Sequence, residues 1–515
     1  MREELKELKN RVEQVKVAGG RIKKETQHAR GKLLARERLE LLFDKDSFVE
    51  TNQFISHRSE QFNLSEKRIV GDGVITGYGR VRGRRVFAFA HDFTVFGGTL
   101  GEMHALKIAQ LMDAAVKADA PIIGLNDSGG ARIQEGVLAL DGYGQLFYRN
   151  ATYSGVIPQI SMILGPCAGG AVYSPALTDF VFMVEGISQM FITGPKVIET
   201  VTGETVSAEE LGGAHMHASR SGCAHFTAKT EQELFEQVRR LLFFLPDNDA
   251  ENHSEPLDDV LDQSGACEEL LELVPSESTK VYDVRHVIET FVDQRDFMEV
   301  QGDFAPNIVI GFAKLAGESV GIVANQPKVM AGSLDLDASD KLARFVRFCD
   351  AFRIPLLILE DVSGFFPGID QEHAGIIRHG AKILYAFAEA TVPKITIILR
   401  KAYGGAYVAL NSKAMGADYV FAWPSAEIAV MGPEAATSII FAHDIQESSN
   451  PEATRKQKIT EYKQHFANPY VAAAYGMVDD VIDPRETRAK VIEALGLLKN
   501  KQESRPIRKH GNIPL

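Results

Sequence analysis

Backbone N–H groups, rather than acidic or basic side chains, are the first candidate chemistry in this sequence. An apolar, β-rich run from Pro158 ends in Cys167-Ala168-Gly169-Gly170-Ala171, and a second from Pro393 ends in Tyr403-Gly404-Gly405-Ala406-Tyr407-Val408. Each reads as a strand, a tight turn and the start of an alanine-rich helix, which aims unpaired N–H groups at an anion. Adjacent glycines also let a ligand approach the backbone with no Cβ in the way. Two such turns predict two oxyanion sites, and one donor of this kind typically contributes on the order of 3 kcal/mol to a transition state.

A third glycine pair lies in Asn126-Asp127-Ser128-Gly129-Gly130-Ala131-Arg132-Ile133-Gln134-Glu135-Gly136, directly after the apolar run Ile122–Leu125. The expectation is a further Gly-Gly turn at a helix N-terminus, suited to phosphate or a thioester-bearing arm. It has neither the Gly-Lys-Ser/Thr of a phosphate-binding loop nor the Gly-x-Gly-x-x-Gly of a dinucleotide site. Its counterpart, Ser363-Gly364-Phe365-Phe366-Pro367-Gly368, replaces the polar and basic residues with aromatics. The two places are therefore expected to bind different partners, one charged and one flatter and more apolar.

Other chemistries fit less well. Ser128, Ser174 and Ser363 lie near glycines, but none of the three sits in a Gly-x-Ser-x-Gly elbow, and His91, His104 and His373 have no spacing that marks a base. A hydratase would need two carboxylates converging on water, for which Glu135, Asp361 and Glu372 are the candidates. Cys167, Cys223, Cys267 and Cys349 are scattered, without the paired spacing of structural zinc, so buried free thiols and no metal are expected.

The elements around these residues repeat. Gly77 and Gly311, Gly83 and Gly317, Pro121 and Pro355, and Asp127 and Asp361 are each 234 positions apart, while Pro158 and Pro393, and Gly170 and Gly405, are 235 apart. Farther upstream, Asp46–Glu50 pairs loosely with Arg295–Glu299 at a larger offset, which places an extra segment around His57–Val70. Each copy reads as a hairpin, a long helix (104–118 and 339–352), a buried strand, another helix and the Gly-Gly-Ala strand. Such alternation predicts an α/β fold with a parallel-rich sheet and right-handed crossovers, made twice. Domains of 1–255 and 256–515 follow, joined through the acidic segment 247–259.

Residues 1–43 have helical periodicity and read as an arm packing on a sheet or another subunit, with Arg30, Lys32, Arg36 and Arg38 as possible phosphate contacts. The tail from Lys499 is basic and reads as a surface extension. Apolar residues make up 45% and charged residues 24% of 515, as in soluble globular proteins. The formal charge of −13 disfavours nucleic acid and anionic membranes. No apolar run reaches membrane-spanning length and the N-terminus lacks the apolar core of a signal peptide, so a cytoplasmic location is expected.

Five stretches resemble one family along the whole chain: Gly31-Lys-Leu-Leu-Ala-Arg-Glu-Arg38, Ser128–Gly136, Gly165–Pro175, Arg400–Tyr407 and Ala426–Pro433. The family is that of the carboxyltransferase β subunits of biotin-dependent acyl-CoA carboxylases, with propionyl-CoA carboxylase β and methylmalonyl-CoA decarboxylase α subunits nearest. The resemblance implies two crotonase-like domains of ββα units, usually in a hexamer with active sites between the N-terminal domain of one subunit and the C-terminal domain of another. It implies carboxyl transfer between carboxybiotin and the α-carbon of a short acyl-CoA, most readily propionyl-CoA to methylmalonyl-CoA, with decarboxylation as the same transfer in reverse. A crotonase-like enoyl-CoA hydratase is the alternative from another class.

By the same resemblance, the N–H groups of Gly169 and Gly170 hold the thioester oxygen and those of Gly405 and Ala406 the ureido oxygen of biotin. No side-chain base is then required. Lys32, Arg36, Ser128, Gly129, Gly130, Ala131, Arg132, Ile133, Ala168, Tyr407 and Val408 are expected around the acyl-CoA, and Gly364, Phe365, Phe366, Pro367 and Gly404 around biotin. Many propionyl-CoA carboxylases carry Asp where this chain has Val408, a departure at the position that helps choose acyl length. No biotin-attachment sequence or ATP-binding region is present, so biotin is expected on a separate carrier or biotin carboxylase subunit. Membrane association is expected only indirectly, within a decarboxylase complex.

Overall fold

The protein is described by a computed structural model over residues 1–17, 19–246 and 267–515. The acidic segment 247–259 and the expected boundary at 255/256 lie outside the described residues. The rest forms two compact units: residues up to Phe243, and residues Phe244–Pro246 with 267–515.

Unit 1 is built on an eight-stranded sheet of β1 (Val49–Thr51), β2 (Val74–Val81), β3 (Arg84–His91), β4 (Ile122–Ser128), β5 (Gln159–Ala168), β6 (Phe180–Val184), β7 (Gln189–Phe191) and β8 (Phe226–Ala228). Its order is β1-β2-β3-β4-β5-β6-β8, with β7 beside the end of β5. β1, β2 and β3 are antiparallel, and β3 onward is parallel through the crossover helices Glu102–Lys117 and Val137–Thr152. Strands β4 and β6 are buried along their whole length, so β6 and the first half of β4, Ile122–Leu125, read as continuous apolar runs rather than alternating ones.

Unit 2 repeats this with β9 (Met298–Val300), β10 (Ile308–Leu315), β11 (Glu318–Asn325), β12 (Leu356–Val362), β13 (Lys394–Tyr403), β14 (Tyr419–Ala422), β15 (Glu427–Ala429) and β16 (Asp480–Val481). The order is β9-β10-β11-β12-β13-β14-β16, with β15 beside β13. The crossover helices Leu336–Ala351 and Ile376–Glu389 complete the correspondence. This is the duplicated α/β architecture expected from the repeat.

Matched residues make matched contacts. Glu50 pairs with Gly77 and Glu299 with Gly311 across the sheet edge. A Cβ on Gly77 would lie 2.7 Å from the Phe48 ring, and one on Gly311 would lie 2.7 Å from the Phe297 ring, so both glycines admit the same phenylalanine. Asp44 accepts from the N–H groups of Arg82 and Gly83 at the first hairpin turn, as Asp293 does from Ala316 and Gly317 at the second. Arg239 then binds the Leu42 carbonyl and Asp44, while Arg488 binds the Phe291 carbonyl and Asp293. The repeat therefore extends from the arm helix Ala35–Leu42 to the last long helix of each unit. The segment 57–70 is an insertion between β1 and β2, with 3-10 turns at Gln61–Asn63 and Ser65–Lys67.

Each unit also buries one lysine head inside its hairpin layer. Lys107 donates to the carbonyls of Gly71 and Val74, and Lys341 to those of Gln301, Phe304, Ala305 and Ile308. The basic tail folds back on unit 2, where Lys501 reaches Asp418 and Arg505 the Ala390 carbonyl. Among the described residues, no helix is long and apolar enough to cross a membrane.

Candidate active site

Both Gly-Gly-Ala turns sit at the end of a buried strand, as the sequence predicts. β5 ends at Ala168 and passes into a 3-10 turn, Gly169–Val172, followed by the short helix Tyr173–Leu177. β13 ends at Tyr403 and passes directly into the helix Gly404–Ala409. Gly169 has φ +62° and Gly404 φ +63°, a conformation that glycine adopts without strain. These two residues are therefore equivalents, as are Gly170 with Gly405 and Ala171 with Ala406. The expected donor pairs Gly169/Gly170 and Gly405/Ala406 are thus one residue out of register with each other. First-turn N–H groups have no partner within their own helix, so each turn presents them outward.

The surroundings of the two turns differ. A Cβ on Gly170 would meet the Tyr143 ring at 3.3 Å, whereas one on Gly405 would meet nothing within 4 Å. Ala168 is half-buried and Tyr407 buried, while Val408 is 38% exposed.

The Ser128–Gly136 loop departs from expectation. The helix begins only at Val137, and the glycine N–H groups are already used: Gly129 donates to the Gly97 carbonyl at 3.0 Å and Gly130 to Ser128 Oγ at 3.2 Å. Arg132 N–H donates to the Leu100 carbonyl at 2.9 Å, and Leu100 N–H to the Gly130 carbonyl. This bridge leaves the Ala131 N–H with no acceptor among the described residues. The loop lies against the strand end before Gly169, since a Cβ on Gly130 would be 3.0 Å from the Ala168 carbonyl oxygen.

Unit 2 has the same bridge between Leu334 and Phe365, using the Gly364 carbonyl and the Phe366 N–H, so the Phe365 N–H corresponds to that of Ala131. The Phe365 ring packs on Gly380, and Phe366 and Pro367 are exposed.

Several predicted ligand side chains are engaged elsewhere. Arg132 is 1% exposed, bonded to Asp72 at 2.6 Å and Glu135 at 2.7 Å, and stacked over Phe96. Its guanidinium fixes the loop and is not a free handle for a charged substrate, whereas Ile133, next to it, is 87% exposed. Glu135 also accepts the Glu102 N–H, so it is no free carboxylate for activating water.

Lys32 is likewise buried, with its ammonium 2.7 Å from Asp127, which also binds Arg38 and Gln27. Burial pulls the Lys32 ammonium below its ordinary value, against the raising effect of Asp127. In unit 2 the equivalent Asp361 is held by Arg400 from β13 itself, with Tyr282 and the Lys401 N–H. Gly165 occupies the Arg400 position in unit 1, where a Cβ would lie 2.6 Å from Lys32 Nζ. The N-terminal arm thus supplies the cation that β13 carries for itself, and the phosphate contacts expected of Lys32 and Arg38 are replaced by this carboxylate. Arg36 is partly exposed and paired with Glu50 at 2.8 Å, as Arg285 is with Glu299 at 2.7 Å.

The remaining titratable candidates offer no triad. His91 and His104 are buried edge to face, 5.0 Å apart, and burial pushes His91 down to about 4. Cys167 is buried and its thiol is pushed up to about 12. Glu372 and His373 are exposed, and Asp361 is consumed by its own cation cluster. The free N–H groups of Ala131 and Phe365 were not singled out by sequence reasoning as donors. Only a matched comparison of the two loops, with their partners known, exposes them.

Residues 26–513 match the carboxyl transferase domain. The chain belongs to the carboxyl transferase family. It is 57% identical to the methylmalonyl-CoA decarboxylase subunit alpha of Propionigenium modestum, over 99% of each chain. It is 55% identical to the propionyl-CoA carboxylase carboxyltransferase subunit of Haloferax mediterranei, over 100% of each. The solved structure of a transcarboxylase 12S, described as a hexamer assembly with methylmalonyl-coenzyme A and methylmalonic acid bound, superposes with a TM-score of 0.96 at 50% identity, covering 100% of this chain and 98% of that one. The fold is accordingly the duplicated crotonase-like one, and the protein is a carboxyltransferase.

Proposed function

We propose that this carboxyltransferase moves a carboxyl group between carboxybiotin, carried on a separate protein, and the α-carbon of a short acyl-CoA, with propionyl-CoA and methylmalonyl-CoA as the preferred pair. The transfer creates negative charge on two oxygens in turn, the thioester oxygen of the enolate and the ureido oxygen of biotin. The observation that carries this reading is the pair of equivalent glycine turns, each with outward N–H groups and each beside a loop N–H, of Ala131 or Phe365, that has no acceptor among the described residues.

On this reading the N–H groups of Gly169 and Gly170, with that of Ala131 beside them, hold the thioester oxygen, and those of Gly405 and Ala406 hold the ureido oxygen of biotin, with Phe365 and Phe366 close by. Prealigned donors of this kind need no reorganisation as the charge forms. Proton transfer falls to biotin, in keeping with the engagement or exposure of the carboxylates and histidines considered above. A hexamer, as in the transcarboxylase 12S, and a biotin-bearing partner subunit complete the assembly. The same site run in reverse serves a decarboxylase.

The test is carboxyl transfer by the purified chain from methylmalonyl-CoA to free biotin, with malonyl-CoA in parallel to rank acyl preference. Turnover with methylmalonyl-CoA ahead of malonyl-CoA is expected. No turnover with either refutes the transferase site, and enoyl-CoA hydration without biotin favours a hydratase.

A further inference from the structure

Glu360 lies on β12 with 0% exposure, and neither carboxyl oxygen has a hydrogen-bond partner among the described residues. Few native carboxyl groups are left in this state, because an ionised one without partners is far too costly to bury. Glu360 sits directly across from Ile398 of β13, so the two side chains share a face of the sheet. That face is where Ile398, Ala402 and Tyr407 form one apolar cluster, and Tyr407 belongs to the helix Gly404–Ala409 that carries the second glycine turn. Unit 1 has the neutral Asn126 at the equivalent position of β4, and its amide donates to the Gly124 carbonyl. In unit 1 the fold thus accommodates an uncharged polar side chain at this point.

We propose that Glu360 works as a neutral carboxylic acid behind the Gly404-Gly405-Ala406 turn, and that its ionisation switches off the biotin half of the transfer. It is a positioning residue: it touches the cluster beneath the turn and not the reacting atoms. The proposal rests on the assignment of this turn to biotin. The ionisable group that acts on Glu360 is Asp361, next on the same strand, and Glu360 in turn acts on Tyr407, on the helix packed against it. Burial first, and then the Asp361 charge, push the Glu360 carboxyl well above its ordinary value of 4.5, so the proton is retained. Loss of that proton to solvent would leave an unpaired carboxylate behind N–H groups that must hold an oxyanion. The charge would oppose the one forming on biotin and pull the helix toward water.

Two readouts on wild type, Glu360→Gln and Glu360→Met test this. In the transfer assay with free biotin, wild type should show an alkaline limb, falling at least about ten-fold, that both neutral variants lack. In thermal unfolding, an acid whose folded value is raised stabilises below pH ~4.5, and that contribution is lost as pH rises toward the folded value. The melting temperature of Glu360→Gln should therefore gain on that of wild type as pH rises. Parallel rate profiles, or a melting gap that does not change with pH, would overturn the proposal. The melting comparison needs no transfer activity, so a chain that fails to transfer refutes the functional assignment without deciding the state of Glu360. Glu360→Met gives the same readouts if the glutamine variant does not fold.

Discussion

Gly405 offers the sharpest test of the backbone-donor chemistry, because the same position can be changed with and without loss of its N–H. It is the second residue of the helix Gly404–Ala409, follows a left-handed glycine and is exposed, with no atom within 4 Å of where a Cβ would sit. Proline is tolerated in the first turn of a helix, since the N–H it lacks has no helical acceptor there, and the preceding Gly404 carries no Cβ to clash with the ring. Gly405→Pro should therefore fold, yet lack one donor to the developing ureido oxyanion. Loss of one such donor typically costs about 10²–10³ in rate, roughly 3–4 kcal/mol. Gly405→Ala retains the N–H and fits the open space, so its rate should remain within a few-fold of wild type. Steady-state transfer to free biotin measures the rates, and calorimetric titration with CoA shows whether the acyl-CoA side is intact. Equal rates for the two variants, or equal loss of CoA binding in Gly405→Pro, would refute the reasoning.

Further predictions come from the buried polar groups. Lys32→Met should lower stability by roughly 1–3 kcal/mol in denaturant unfolding, because Asp127 loses a buried charged partner, while CoA affinity changes little. A large selective loss of CoA affinity would instead make Lys32 a ligand contact. His91 is neutral in the fold, with its value lowered from 6.5 to about 4, whereas the unfolded chain takes up a proton at this residue below pH ~6.5. Stability should fall between pH 6.5 and 4 by up to roughly 3 kcal/mol from this residue. His91→Asn should flatten that fall, since Asn325 at the equivalent place bonds the Gly332 carbonyl and the Asp361 N–H; an unchanged slope on acid titration would contradict this. Gly165→Ala should destabilise unit 1 strongly by melting temperature, because the new Cβ would lie 2.0 Å from an Asp127 oxygen; a neutral result would mean that the Lys32–Asp127 cluster relaxes freely.

The parts of the fold legible in the sequence were those set by local pattern. The apolar runs before Gly169 and Gly404, the hairpins around Gly83 and Gly317 and the long helices after them follow from periodicity and turn residues, and the near-constant offset of 234–235 announces the duplication. The outer repeat is harder to see. Arg36 and Glu50 match Arg285 and Glu299 only at an offset of 249, because the 57–70 insertion has shifted the register. Polar partnerships were the least legible. Arg132 and Lys32 look like surface cations in a linear reading, yet each is closed by a carboxylate distant in sequence, Asp72 and Asp127 respectively. The glycine pair in Ser128–Gly136 misleads for a related reason, because its N–H groups are taken by Gly97 and Ser128, while that of Ala131 has no acceptor among the described residues.

The most direct measurement is a single-turnover reaction of the purified chain with methylmalonyl-CoA labelled at its free carboxyl, in the presence of free biotin. The proposed transfer predicts labelled carboxybiotin and propionyl-CoA in equal amounts, with both absent when biotin is omitted. Release of the label without biotin, or consumption of the thioester with no carboxybiotin formed, would contradict it.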